Sequence, residues 1–337
     1  MPTPPSQRPA GLTRREALSA APATAAALWL TACSRRASPS AAIEPPASPT
    51  ASAAPADDAH RSRRASARAP LVYLPHGGGP WPFLDEPFGD PAENERLAAY
   101  LRALASLPPS PPRALLVVSA HWEAPVATVT TSARPPLLYD YYGFPPEAYR
   151  VTWPAPGAPE VAARVRALLD AAGLPSATDE RRGLDHGVFV PLKLAYPDAA
   201  VPTLQLSLLA GLDPSAHLAL GRALAPLRDE GVFILGSGMS YHNMAGFRGA
   251  LSGRARPAAP LGAEFDAWLR ETAALTRPER ESRLARWTSA PGARASHPRE
   301  EHLLPLMVLA GAAGDDAGAT AWSDTLMGAR VSALQFG

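Results

Sequence analysis

Residues 113–119, Arg-Ala-Leu-Leu-Val-Val-Ser, are followed by Ala120, His121 and Trp122, so that the stretch reads RALLVVSAHWE through Glu123. An unbroken apolar run bounded by polar residues suits a strand buried on both faces of a parallel sheet, since neither face has to meet water. A histidine just past the carboxyl end of such a strand stands where open α/β sheets hold their ligands. His121 is the first candidate for chemistry.

Outward from this run, apolar strands and amphipathic helices alternate. Leu71 to Pro75 reads as a short strand ending at His76-Gly77-Gly78-Gly79. Asp90 is placed to cap a helix whose first residue is Pro91 and whose inward face carries Leu97, Tyr100, Leu101 and Leu104. A second helix is expected over 159–172, with Gly173 just beyond its end. Strands are expected over 201–208 and 231–235, the latter closing in a turn at Gly236-Ser237-Gly238. Residues 214–228 read as a helix, 261–288 as two charged, Trp-bearing helices, and Pro298 opens a helix reaching Gly311. A strand over 331–336 ends the chain. This alternation predicts a single three-layer α/β domain over 70–337 with a mainly parallel central sheet.

Composition narrows the function classes. A net charge of +1 supplies no basic field for nucleic acid, and a 46% hydrophobic content over 337 residues suffices for a large core. The single cysteine, Cys33, allows no intrachain disulfide. Its setting is more informative: Arg14-Arg15, then an alanine-rich apolar segment, then Leu30-Thr31-Ala32-Cys33. The twin arginine resembles a Tat signal and the tetrapeptide a lipoprotein lipobox, so 1–33 are expected to be an export signal with a lipid on Cys33 as the only membrane attachment. Localisation is then outside the cytoplasm, on the periplasmic face. Residues 34–69, rich in Ser, Ala, Pro and Arg, read as a disordered linker.

His60 falls in that linker, which leaves His76, His121, His186, His217, His242, His297 and His302. His76, His121 and His242 each follow a separate apolar strand, and His302 is expected at a helix start beside Glu300 and Glu301. Imidazole suits zinc and iron, and two histidines with one further ligand and open positions is the arrangement of non-haem Fe(II) oxygenases. His217, inside an amphipathic helix, reads as structural or solvent-facing, and His297 as either a ligand or a residue that merely precedes a helix. Asp185 is a candidate to orient His186 or simply closes the turn after Gly183. Tyr139, Tyr141, Tyr142 and Phe144 either wall an aromatic pocket or pack beneath a proline-rich loop, and Trp122 is a second candidate wall.

The blocks LPHGGGP, LLVVSAHWE, YDYYGFPPEAYRVTWPAPG, GLDHGVFVPLKLAYPDAAVPTLQLSL, GSGMSYHNM, HPREEHLLPLMVLAGA and SALQFG together resemble class III extradiol ring-cleavage dioxygenases. Within that class they are most similar to the DOPA 4,5-dioxygenase branch of the LigB-type enzymes, across nearly all of 70–337. The resemblance implies a LigB-like fold and insertion of O2 into a DOPA-like catechol, opening its ring to a semialdehyde. It implies His76, His121 and His302 as metal ligands, with Glu301 the alternative to His302. It implies His242 as acid/base or a further ligand, and His186 as a pocket residue that shares the proton work. Fe(II) is the metal expected for activity, with Zn(II) an alternative occupant; O2 and a catechol are the small-molecule partners, and no oligomeric state is assigned. Two departures, Gly78-Gly79 after the first histidine motif and Met239-Ser240-Tyr241 before His242, bear on substrate choice. A zinc hydrolase and an exported metal-binding lipoprotein without oxygenase activity are the other readings.

Overall fold

In the computed structural model the described residues are 68–85, 89–252 and 259–337. The expected signal, most of the linker, Cys33 and His60 lie outside them. The strands are β1 (Leu71–Pro75), β2 (Ala114–Ala124), β3 (Ala127–Thr130), β4 (Ser176–Asp179), β5 (Thr203–Leu209), β6 (Val232–Gly238), β7 (Gly318–Leu326) and β8 (Ala329–Phe336). They form one eight-stranded sheet in the order β4-β3-β5-β2-β6-β1-β8-β7. The four central strands β5, β2, β6 and β1 run parallel. β8 returns antiparallel along β1, β7 along β8, and β3 antiparallel to β5.

Strand alternation sends β1 and β2 side chains to opposite layers. Val72, Leu74, Leu115 and Val117 join one core with Leu97 and Leu101 of α1 (Pro91–Ala103) and with Val188, Phe189 and Leu192 of α3 (His186–Ala195). Leu71, Tyr73, Leu116 and Val118 join the other. That second layer is built by α2 (Pro159–Ala171), α4 (Pro214–Leu224), α6 (Ala263–Ala273), α7 (Arg277–Ala285) and α9 (Leu304–Ala313). The shorter α5 (Met244–Leu251) and α8 (Ala293–Ser296) flank the loops that follow β6 and precede α9. The three-layer α/β expectation therefore holds, with both faces of the sheet covered. The Asp90 cap forms as expected, accepting from Ala92 N at 2.8 Å.

Every residue of α9 is buried. It packs backbone to backbone on α4, where a Cβ on Gly221 would lie 1.9 Å from Val308 O and one on Gly311 would lie 2.1 Å from Leu218 O, and it meets the sheet at Gly236, where a Cβ would lie 3.0 Å from Pro305 O. The chain beyond its C-terminus is held by two buried arginines. Arg228 donates to Ala312 O and Ala313 O, and Arg280 to Gly314 O and Asp316 O. Guanidinium groups here satisfy carbonyls that the helix end leaves open.

Three local expectations are corrected. Gly236, Ser237 and Gly238 belong to β6 rather than to a turn; a side chain at Gly238 would meet His302 O at 2.1 Å, so glycine lets a later loop cross the strand. The helix expected from Pro298 begins at Leu304, because residues 297–303 turn back on themselves, with Leu303 N bonded to Glu300 O at 2.8 Å. His302 accordingly sits in the turn before the helix. His121 lies within β2, not beyond it, since that strand runs on to Ala124.

Gly311→Ala should destabilise the protein by about 1–3 kcal/mol, the usual cost of overpacking a filled core. A urea denaturation midpoint unchanged within error would show that α4 and α9 tolerate separation.

Candidate metal centre

Five histidines converge at the carboxyl ends of the central strands. His76 directly follows β1, and its backbone N–H donates to Gly238 O at 3.2 Å, which extends the β1–β6 pairing to the site. His121 stands where β2 has run past its last partner in β6, Ser237, and where its register against β5 shifts between Val118 and Glu123. Such an irregularity re-aims a side chain. Ser119 Oγ supports it by accepting from His121 N at 3.2 Å. His186 opens α3. His242 follows β6 and is tied down by His242 N donating to Ser296 O at 2.9 Å. The carbonyl of His302 accepts from Tyr73 Oη at 2.7 Å and from Met239 N at 3.1 Å, docking its turn on the sheet.

The ligand atoms of His76, His121 and His186 lie within 4.8 Å of one another, as do those of His242, Glu301 and His302. His302 joins the two groups, its ring centroid 5.2 Å from that of His76 and 4.9 Å from that of His121. It stacks on His242 at 3.3 Å. Nε2 of His76 and Nε2 of His121 face each other at 3.3 Å. Two neighbouring imidazoles on one zinc-sized ion, with metal–nitrogen bonds near 2.0–2.1 Å, put their nitrogens about 3 Å apart.

Nitrogen bookkeeping identifies what the site is built to hold. His76 Nδ1 lies 2.9 Å from Gly77 O, and His302 Nδ1 3.0 Å from Glu301 Oε1. Those acceptors keep the proton on Nδ1 and leave Nε2 as a lone pair. Nε2 of His302 and Nε2 of His186 are buried with no hydrogen-bond partner among the described residues. Orphaned buried polar atoms are rare and costly, so their gathering beside the His76–His121 pair fits a cation.

Electrostatics keep the ligand candidates neutral. Burial, then the neighbouring imidazoles, hold His76 and His121 well below the ordinary histidine pKa. Burial and His242 push His302 down to about 3 against the opposing pull of Glu301. Neutral imidazole is the ligating form. His186 differs: burial lowers its pKa, but Asp140 more than compensates and leaves it raised. Burial favours the neutral form of Glu301, yet hydrogen bonds from His242 and His302 hold it well below the usual carboxylate range.

The other candidates fall elsewhere. His297 is buried away from the cluster, its Nε2 2.9 Å from Ser240 O and its ring against Phe265 and Trp287. His217 is structural and buried, accepting from Leu209 N at 3.1 Å through Nε2. Trp122 lies beneath the guanidinium of Arg182, 4.7 Å from its ring. Tyr139 and Tyr141 spend their hydroxyls on Val151 O and Ala148 O, the behaviour of packing residues, although the Tyr141 ring comes within 5.9 Å of His186. Asp185 does not orient His186 through its side chain; it is bonded to Ser119, Gln205 and Arg182. The residue that does is Asp140, whose Oδ1 accepts from His186 Nδ1 at 2.8 Å and from His186 N at 2.9 Å. Its only trace in the sequence is one carboxylate among the aromatic residues of 139–142.

A family profile described as the catalytic LigB subunit of aromatic ring-opening dioxygenase matches residues 85–333, a span that contains His121, His186, His242 and His302. Dioxygenase tasH of Hapsidospora irregularis is 40% identical over 279 residues, 80% of this chain and 86% of that protein. A 4,5-DOPA dioxygenase extradiol of Beta vulgaris is 46% identical over 206 residues, 61% of this chain and 75% of the relative. Its counterpart in Escherichia coli (strain K12) is 34% identical, covering 73% and 86%. A crystal structure of an uncharacterized protein from Escherichia coli K12 superposes with a TM-score of 0.64 at 29% identity, over 80% of this chain and all of the other.

The acid response of His297 is calculable. Its pKa is lowered by burial to about 4 in the folded protein, against about 6.5 in the unfolded chain. Above pH 6.5 neither state is protonated and stability is complete; between pH 6.5 and 4 only the unfolded chain takes the proton, so stability is lost as pH falls. His297→Gln should remove up to ~3 kcal/mol of this acid-dependent loss. Urea titrations at pH 7.5 and pH 4.5 check it; equal losses in both proteins contradict it.

Proposed function

From the premise that the chain belongs to the family of LigB-type aromatic ring-opening dioxygenases, we propose that this extradiol ring-cleavage enzyme acts on a catechol carrying a DOPA-like side chain. Support for the side chain comes from the relatives named 4,5-DOPA dioxygenases. Ring opening by O2 displaces the hydrolase and non-catalytic alternatives. The balance closes without a reductant: one ring carbon–carbon bond beside the diol breaks, both oxygen atoms enter the product, and the new ends are a carboxylate and an aldehyde.

The observation that carries the site is the meeting of His76, His121 and His302 beside buried, partnerless Nε2 atoms. We assign these three as ligands of Fe(II), with Zn(II) able to take the same nitrogens. Bound there, Fe(II) supplies Lewis acidity toward the diol and the redox chemistry that oxygen requires. Glu301 supports rather than ligates, because its oxygens already receive His302, His242 and Arg299.

The remaining two histidines handle protons. His242, with Nδ1 on Glu301 at 3.3 Å, presents Nε2 as acceptor for a phenolic proton. His186, buried and paired with Asp140, is the group suited to hold a proton and return it as the ring opens. Positioned acid–base groups of this kind contribute about 10²–10⁴-fold in rate.

Export through the Arg14-Arg15 signal and anchoring by a lipid on Cys33 complete the proposal, supported by the order of these motifs before the linker.

Anaerobic reconstitution with Fe(II), then addition of DOPA and unsubstituted catechol, should give oxygen uptake and a yellow semialdehyde. His121→Ala should abolish metal binding, and His242→Ala should keep the metal while losing about 10²–10⁴-fold in turnover. Stoichiometric metal with no uptake on any catechol would defeat the activity, and full metal content in His121→Ala would defeat the ligand assignment. In a Tat-competent host the mass of the product should show cleavage before Cys33 and an attached lipid; an unprocessed chain removes the anchoring claim.

A further inference from the structure

Behind the five histidines stand two carboxylates, and each serves one proposed ligand and one proposed proton-handling residue. Asp140 gives Oδ1 to His186 Nδ1 at 2.8 Å and faces His121 Nδ1 with Oδ2 at 3.6 Å. Glu301 gives Oε1 to His302 Nδ1 at 3.0 Å and to His242 Nδ1 at 3.3 Å. Its other oxygen meets Arg299 at 3.3 Å, and Arg299 grips Glu123 through both guanidinium nitrogens at 2.6 and 2.7 Å. His76 stands outside the scheme, since its Nδ1 is satisfied by a backbone carbonyl.

We propose that Asp140 and Glu301 are positioning residues that set the tautomer of four imidazoles together, each coupling one metal ligand to one proton-handling histidine. A neutral imidazole carries a single N–H, and the nitrogen that keeps it cannot bind a metal. A carboxylate accepts only, so an imidazole hydrogen-bonded to one through Nδ1 holds its proton there and turns the Nε2 lone pair toward the shared space; at His121, where Asp140 Oδ2 stands 3.6 Å away, the negative charge rather than a hydrogen bond favours the same tautomer. Two imidazoles on one carboxylate are thereby aligned by a single side chain. Asp140 is held in turn from the helix side, because the backbone N–H of His186 donates to its Oδ1 at 2.9 Å. That bond fixes which oxygen each histidine meets.

This inference rests on the ligand assignment made above and yields a directional expectation for a nearly isosteric change. In Asp140→Asn the amide oxygen must stay where His186 supplies two N–H donors. The amide NH2 then replaces Oδ2 and points a donor at His121 Nδ1. That nitrogen becomes the lone pair, the proton moves to Nε2, and His121 ceases to be a ligand while His186 keeps its arrangement. In Glu301→Gln three donors from His302, His242 and Arg299 compete for one oxygen, and at least one loses its acceptor.

The test reads Zn(II) affinity by competition with a chelating dye, and the tautomers of the metal-free protein by ¹⁵N histidine NMR, neither of which needs substrate. Asp140→Asn should bind Zn(II) about 10–100-fold more weakly, with His121 converted to the Nε2–H form and His186 still Nδ1–H. Asp140→Glu, which restores an acceptor, should recover part of the affinity. Glu301→Gln gives an independent reading and should show a similar loss. Affinity within twofold of wild type in both variants, with His121 still Nδ1–H, overturns the inference. If His121→Ala also retains zinc, the ligand assignment falls; if it loses zinc while Asp140→Asn does not, only the coupling falls.

Discussion

Burying an imidazole nitrogen with no partner costs on the order of 1–3 kcal/mol, and this site gathers such atoms deliberately. His186 Nε2 and His302 Nε2 are both shut away from water without an acceptor or donor among the described residues. The surrounding fold is arranged to hold that unfavourable state. Three parallel strands bring His76, His121 and His242 to one edge of the sheet, and a fully buried helix, locked to α4 by facing glycines, sets the height of the turn carrying His302. Tyr73 then fixes that turn through its carbonyl. A looser scaffold would let the rings rotate and satisfy themselves individually.

The same arrangement explains why proton affinity diverges among chemically identical side chains. Burial by itself disfavours the charged form of His76, His121, His186 and His302. His186 escapes because Asp140 sits close enough to overcome burial, whereas the pull of Glu301 on His302 is outweighed by burial and His242. One residue type is thus split in its proton affinity by the placement of carboxylates, which is the division the proposed roles of metal donor and proton carrier require.

Much of this was legible in the chain. The central strands announced themselves as continuous apolar runs, and α1, α2 and α4 by helical spacing with proline near the start. The edge was harder: Ser176–Asp179 has no large apolar residue, and much of Gly318–Leu326 faces water, so neither carries a strand pattern. Gly236 and Gly238 resembled a turn because their purpose, room for a loop and a helix arriving some seventy residues later, is invisible locally. His76, His121 and His242 were readable because each stands at or near the end of an apolar strand, whereas His186 and His302 were picked out by their motif blocks. Of the carboxylates behind them, Glu301 stood out only as an alternative ligand and Asp140 not at all, since it reaches His186 across 46 residues of chain and nothing in its neighbours marks it.

Tyr73 and His302 are 229 residues apart, yet they touch, and the proposed ligands His76 and His302 come from nearly the same two ends of the domain. On that assignment a bound ion would act as a removable clasp between the two ends of the domain rather than as a local ornament. During synthesis the clasp cannot close until almost the last helix has left the ribosome, so the first two donors wait as an open pair. Once closed, it stabilises only the complete chain, in proportion to the logarithm of free metal over its dissociation constant. Under the proposed assignment, metal supply would then govern how long the finished protein survives proteolysis as well as whether it can react.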